Sequence, residues 1–224
     1  PSNLSTTPEN QVYVGSNEIE SGTLQAFEVC KLLRANGKAN GAKAYIVMGS
    51  LSHQAALQRT KDVEDILATD MCKFITVIDK QSSEWSRENA QNLVTNWLTS
   101  GDVPVAIFTN NDESALGAIL ALKAAGVPMD QVVVGGVDAT ADALQFMQAG
   151  DLDVTVFQNA AAQGGAAGSR TLQAGAGAAW RGAAYTVARG KGGARPRPCR
   201  GPGARGRRPQ APGRGSQAPR RTGS

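Results

Sequence analysis

Six short apolar, β-rich runs alternate with segments of helical spacing across residues 11–160, and no other feature constrains the fold as strongly. The runs are Gln11–Val14, Ala44–Met48, Phe74–Asp79, Ala106–Thr109, Val132–Gly136 and Val154–Phe157. Ile19, Leu24, Phe27, Leu32 and Leu33 fit one helical face in the first intervening segment. Ala56, Val63, Ile66 and Leu67 fit a second; Val94, Trp97 and Leu98 a third. Leu116, Ile119, Leu120 and Leu122, then Ala143, Leu144 and Met147, complete the set of five. Ser83 and Thr140 are expected N-caps, and Gly101, Gly126 and Gly150 expected stops. Strands alternating with helices of this length predict βαβ units and a parallel sheet. The runs are apolar on both sides, as they are when helices cover both faces of a sheet. Right-handed crossovers then give an α/β doubly wound sandwich.

The net charge of +4 over 224 residues averages two unlike segments. Residues 1–163 hold all 19 acidic side chains and carry −9, whereas residues 164–224 hold none and carry +13. A uniformly basic nucleic-acid-binding domain is thereby excluded, because the part able to fold is acidic. The basic part consists mainly of Gly, Ala, Arg and Pro and is too poor in apolar residues to offset chain entropy. It is expected to be disordered from about residue 165 and throughout from Gly190. These four residue types are the ones specified by codons with only G and C in the first two positions. A GC-rich gene read out of frame gives this mixture; a natural low-complexity tail and a phosphate-binding arm are the alternatives. Cys30 and Cys72 are expected to be small buried residues, with a disulfide between them as the alternative. A Cys/His metal site is not expected with one His in the chain. No run is long enough for a membrane span, and no signal sequence is visible.

Ligands of doubly wound sheets sit outside the carboxyl ends of the strands. The residues following each run are therefore the candidates. They include His53 with Arg59 a little further on, then Trp85, Asn111, Asp138 and Gln158. Arg59 can donate two parallel hydrogen bonds to adjacent oxygens, and Asp138 can accept from two vicinal hydroxyls. Asn111 and Gln158 offer both donors and acceptors. The Trp85 face can cover the C–H face of a sugar or cyclitol ring. Each also has a plainer reading. Asn111 and Asp138 can cap the following helices, Arg59 can be a solvated helix residue, and Trp85 can pack at a helix start. His53 reads as a loop or capping residue before a ligand contact. No nucleophile elbow, P-loop or G-x-G-x-x-G opens a helix, so an enzyme is not indicated.

These same stretches resemble type I periplasmic sugar-binding proteins. Phe108-Thr109-Asn110-Asn111-Asp112-Glu113-Ser114-Ala115-Leu116-Gly117-Ala118 is similar to their F-x-x-N-D-x-x-A-x-G-A signature. Val134–Ala143, Gly150–Gln158 and the Gly15-Ser16-Asn17 step are similar too. The match looks like the ribose-binding group. Glu84-Trp85-Ser86-Arg87 and Thr95-Asn96-Trp97-Leu98 lean toward its inositol- and rhizopine-type members.

The resemblance implies one lobe of a two-lobed solute-binding component of an ABC importer, in the periplasm. It implies ligand contacts at Arg59, Trp85, Asn111, Asp138 and Gln158, with a permease and in some cases a chemoreceptor as partners. No cofactor, nucleic acid or catalysis is expected. Residues 1–10 would be a linker from another lobe, 11–160 the second lobe, and 161–224 the basic segment. With one lobe only, weak or no sugar binding is expected. The effector domain of a lac-repressor-like regulator, which shares the lobe fold, is the alternative.

Overall fold

The computed structural model describes residues 18–101 and 103–159, together with the backbone of 14–16, 180–182 and 185–188. The linker expected at 1–10 and the basic residues 189–224 lie outside the described residues. The elements in chain order are β1 (Val14–Ser16), α1 (Glu18–Ala35), β2 (Ala42–Met48), α2 (Gln54–Leu67), β3 (Ile75–Ser82), α3 (Arg87–Thr99), β4 (Ala106–Thr109), α4 (Asp112–Ala124), β5 (Val133–Asp138), α5 (Ala141–Ala149), β6 (Val154–Phe157), β7 (Trp180–Gly182) and β8 (Tyr185–Ala188). All five predicted helices are present.

Six strands form one sheet in the order β3-β2-β4-β5-β6-β8. The first five are parallel, and β8 closes the edge antiparallel to β6. β1 pairs parallel with β7 in a separate two-stranded sheet. Because β3 lies on one side of β2 and β4 on the other, the chain reverses direction across the sheet between β2 and β4. A crevice opens at the carboxyl ends of the strands flanking such a switch.

Side chains alternate along the strands and split the core in two. Ala44, Ile46 and Met48 of β2 join Phe108 of β4 and the buried face of α1 and α2 in one cluster. Tyr45 and Val47 join Ile107, Val134 and the helices α3, α4 and α5 in the other. Full burial of a side chain such as Phe108 or Ile107 contributes about 1.5–3 kcal/mol. Trp97, part of one quoted resemblance motif, stacks on Tyr45 with ring centroids 4.2 Å apart and donates to Asp79 Oδ2. It belongs to the core, not to the strand-end crevice.

Five local expectations need correction, one being Leu144, expected on the inner face of α5 but exposed. The buried face of α1 is Ser21, Gly22, Gln25, Ala26, Val29, Cys30 and Leu33, while Ile19 and Phe27 are exposed. The helix packs through small residues against its neighbour, so its largest apolar side chains did not mark the inner face. The N-cap of α3 is Ser86, which accepts from Asn89 N, and not Ser83. A turn through Ser83 and Trp85 delays the helix. Two segments within the stretch expected to be disordered, Trp180–Gly182 and Tyr185–Ala188, are strands. They gather Trp180, Tyr185, Thr186 and Val187, the aromatic and β-branched types that strands favour, and β8 pairs with the existing edge strand β6, which needs no new core. Finally, Cys30 and Cys72 are both buried and joined by a disulfide, which ties α1 to the turn before β3.

The bridge closes a segment of 42 positions. By the loop-entropy rule its reduction should cost about 4 kcal/mol as an upper value, with 2–4 kcal/mol typical. Denaturant midpoints of the oxidised protein and of Cys30→Ser/Cys72→Ser check this. Equal midpoints would show that the bridge contributes nothing.

Candidate functional site

The carboxyl ends of β2 to β6 bring together Gly49, Trp85, Asn111, Asp138 and Gln158, and α2 lifts Arg59 into the same space. Arg59 is buried to 5% residual exposure, so the solvated-helix reading fails. Its Nη1 donates to the Asn110 carbonyl at 2.6 Å and lies 3.9 Å from Asp138 Oδ1. Its Nε donates to Glu18 Oε2 at 2.6 Å. The guanidinium carbon stands 5.8 Å from the centre of the Trp85 ring.

Trp85 is half-buried and held from three directions. Its Nε1 donates to His53 Nδ1 at 2.9 Å. Its carbonyl is 3.4 Å from Asn111 Nδ2. Its six-membered ring lies flat against the backbone at Gly49, where any Cβ would fall 2.4 Å from the ring carbons. Glycine at 49 is therefore what admits the indole. His53 stands at the N-cap position of α2 without a side-chain capping bond and serves to aim the tryptophan.

Asn111 caps α4, its Oδ1 accepting from Ser114 N at 3.1 Å. The capping reading is thus correct for Asn111, and its Nδ2 is what faces the Trp85 turn. Asp138 does not cap α5; Thr140 does, accepting from Ala143 N. Asp138 instead ends β5 with φ 123, and Ala139 follows at φ 55. Glu84 and Trp85, in the turn after β3, have φ 52 and φ 67. Side chains rarely occupy this half of the map, at a cost of about 1–3 kcal/mol each, and such residues cluster at ligand sites. All four positive-φ residues other than glycine among the described residues flank this one crevice.

Two carboxyl groups are shifted. Burial pushes Asp138 up to about 7; the nearby Arg59 cation works against that, while the negative Asp112 and Glu18 reinforce it. Burial pushes Asp112 up to about 6, opposed by its bonds from Thr155 Oγ1 and Thr140 N. Asp112 is fully enclosed behind Asp138 and braces the β5–α5 turn. Gln158 follows β6, and its Nε2 is 3.4 Å from Glu18 Oε2.

The five candidates from the sequence thus meet in one place. Reading the strand ends missed Glu18, because it lies at the start of α1 after β1, a strand outside the main sheet. Its signal was its position directly after the Gly15-Ser16-Asn17 step. Among the described residues, no group of three His, Cys, Asp or Glu side chains could hold a metal ion, and no helix is long and apolar enough to cross a membrane. What the site offers is a charged donor, carboxylate acceptors, two amides and an aromatic plane around one crevice.

Residues 3–177 match the family model of the periplasmic binding protein domain. A Rhizobium meliloti protein named for rhizopine binding is 55% identical over 73% of this chain and 52% of its own length. The D-galactose/methyl-galactoside binding periplasmic protein of Haemophilus influenzae is 34% identical over 70% of this chain and 48% of its own. Among solved structures, an ABC transporter solute binding protein from Bacillus halodurans with bound myo-inositol superposes with TM-score 0.71 and 39% identity. That match covers 79% of this chain and 60% of the other. The chain spans about half the length of these two relatives.

The raised carboxyl groups carry a sign that can be tested. A carboxyl whose folded pKa exceeds its ordinary value of 3.8 binds its proton more tightly when folded. Its stabilising contribution is full below about pH 4 and is lost as pH rises toward about 7 for Asp138 and about 6 for Asp112. Asp138→Asn removes the larger of the two effects. Its melting temperature relative to the parent should rise between about pH 5 and pH 8. A constant difference over that range would contradict the burial of Asp138.

Proposed function

The chain belongs to the periplasmic binding protein domain family, and from that membership we propose that it is the ligand-capturing lobe of an ABC-importer solute-binding protein for a cyclitol or sugar of the inositol type. Capture is an equilibrium without chemistry. Ring hydroxyls donate to Asp138 and accept from Arg59. Asn111 and Gln158 complete the polar contacts, and Trp85 covers the ring face. The observation that supports this reading is Arg59 standing 3.9 Å from Asp138 and 5.8 Å from the centre of the Trp85 ring, at the carboxyl ends of the parallel strands. A guanidinium and a carboxyl group 3.9 Å apart place a donor beside an acceptor, so that neighbouring hydroxyls of one ring can engage both.

The inositol type is supported by the myo-inositol bound to the Bacillus halodurans protein and by the rhizopine name of the Rhizobium meliloti relative. On this reading the lobe is residues 11–160, and its partners are the small molecule, a permease and, in a sensing role, a chemoreceptor. The place of action is the periplasm. The relatives described above give no support to the lac-repressor-like alternative, which we set aside.

Titration of the ¹⁵N-labelled chain with millimolar myo-inositol tests the proposal. The Trp85 indole and the Asn111 and Gln158 side-chain amides should shift together. Asp138→Ala should weaken the response by roughly tenfold or more, the value of one charged hydrogen bond of about 1.5–3 kcal/mol. No response at these three groups, or one unaffected by Asp138→Ala, would overturn it. D-ribose, run in parallel, reports whether the site prefers the cyclitol.

A further inference from the structure

We infer that Glu18 is a positioning residue, whose carboxylate fixes the Arg59 guanidinium and the Gln158 amide in the arrangement a ligand meets. The inference rests on the site reading given above. One carboxylate oxygen, Glu18 Oε2, accepts from Arg59 Nε at 2.6 Å and lies 3.4 Å from Gln158 Nε2. It thereby ties the first turn of α1 to α2 and to the segment after β6. The Arg59 side chain is 7% exposed and that of Glu18 20%, so water competes poorly for the pair. A charge-assisted bond in such surroundings holds its geometry better than one at the surface.

The approach of α1 to α2 is what makes the contact. Gly22, one turn beyond Glu18, sits where a Cβ would fall 2.6 Å from the Arg59 carbonyl oxygen and 2.7 Å from Asp62 Cβ. Without a side chain at 22 the two helices come within reach, and a long acidic side chain one turn earlier meets the guanidinium. Glu18 also begins α1 directly after β1, whose partner β7 is outside the main sheet.

The position has an electrostatic consequence that simple packing would lack. The charged groups facing Asp138 are Arg59 from α2, Asp112 from α4 and Glu18 from α1. The Glu18 charge helps keep the Asp138 carboxyl protonated and occupies the cation that would otherwise favour its ionised form. Removing the Glu18 charge should therefore let Asp138 ionise at lower pH.

The test uses the full chain with Glu18→Gln and Glu18→Ala. Three quantities are read: hydrogen exchange of Arg59 Nε–H, the titration midpoint of the Asp138 carboxyl carbon, and the pH dependence of the myo-inositol response. In Glu18→Ala the exchange should accelerate on the order of tenfold or more, as expected for a lost charge-assisted bond. In Glu18→Gln, which keeps an acceptor oxygen, it should accelerate less. In both variants the Asp138 midpoint should fall, and the inositol response should extend to correspondingly lower pH. Unchanged exchange in Glu18→Ala, or an unmoved Asp138 midpoint in Glu18→Gln, would overturn the role. A parent chain that ignores myo-inositol would count against the ligand reading alone, because the first two quantities are measured without ligand.

Discussion

A permanently charged guanidinium buried beside the sheet is the constraint on which the rest of the site depends. Removing such a charge from water costs several kcal/mol unless partners replace the lost hydration. Three elements supply those partners to Arg59: the carbonyl of Asn110 from the end of β4, the carboxylate of Glu18 from α1, and the carboxylate of Asp138 from the end of β5. Each must arrive at a fixed place, and each brings its own element with it. Asn110 is locked in turn, its Oδ1 accepting from Gly49 N and from Thr60 Oγ1. The crevice is thus built outward from one cation, and its walls are the termini of five parallel strands.

Strain and support are distributed on the same plan. The turns after β3 and β5 hold Glu84, Trp85, Asp138 and Ala139 at positive φ. These conformations are unfavourable in isolation and survive because the surroundings over-determine them. For the β5 turn the support is Asp112, whose two oxygens take Thr140 N and Thr155 Oγ1 from opposite sides. For the β3 turn it is the Ser83–Ser114 hydroxyl contact, the Asn111 amide and the His53 acceptor. The Asn-Asp pair at 111–112 therefore braces both strained turns at once. This gives the doublet a physical reason beyond its value as a family signature.

The alternation of runs and helical segments was enough to place all five helices and the five parallel strands, because period and length are local properties. Strand-end reasoning placed Arg59, Trp85, Asn111, Asp138 and Gln158 at one edge for a related reason: in a doubly wound sheet, position after a strand is position in space. Features set by contacts between distant segments were not legible. The inner face of α1 is chosen by Gly22 meeting the Arg59 backbone, so a count of large apolar residues picked Ile19 and Phe27 wrongly. The Cys30–Cys72 bridge depends on where α1 lies over the turn before β3, and no spacing rule gives that. Glu18 escaped notice because its importance comes from α2, 41 residues away. Ser83 looked like a cap because a serine before a helix usually is one, and the three-residue turn that carries Trp85 was invisible to that rule.

Asp138 shows how folding and capture can pull on one group in opposite directions. Burial and two neighbouring carboxylates favour its neutral form in the empty crevice. A ligand whose hydroxyls donate to it favours the anion, since each donated bond stabilises the charge directly. With its pKa at about 7, Asp138 is divided between the two forms near neutral pH, and on the proposed reading a ligand shifts the balance toward the anion. On the proposed reading, a ligand would satisfy a carboxylate that the folded chain leaves poorly solvated. A neutral amide in its place would fold more comfortably and would offer a hydroxylated ring a weaker acceptor. On the proposed reading the unfavourable carboxylate serves recognition, which accounts for an acceptor placed deep beside Arg59.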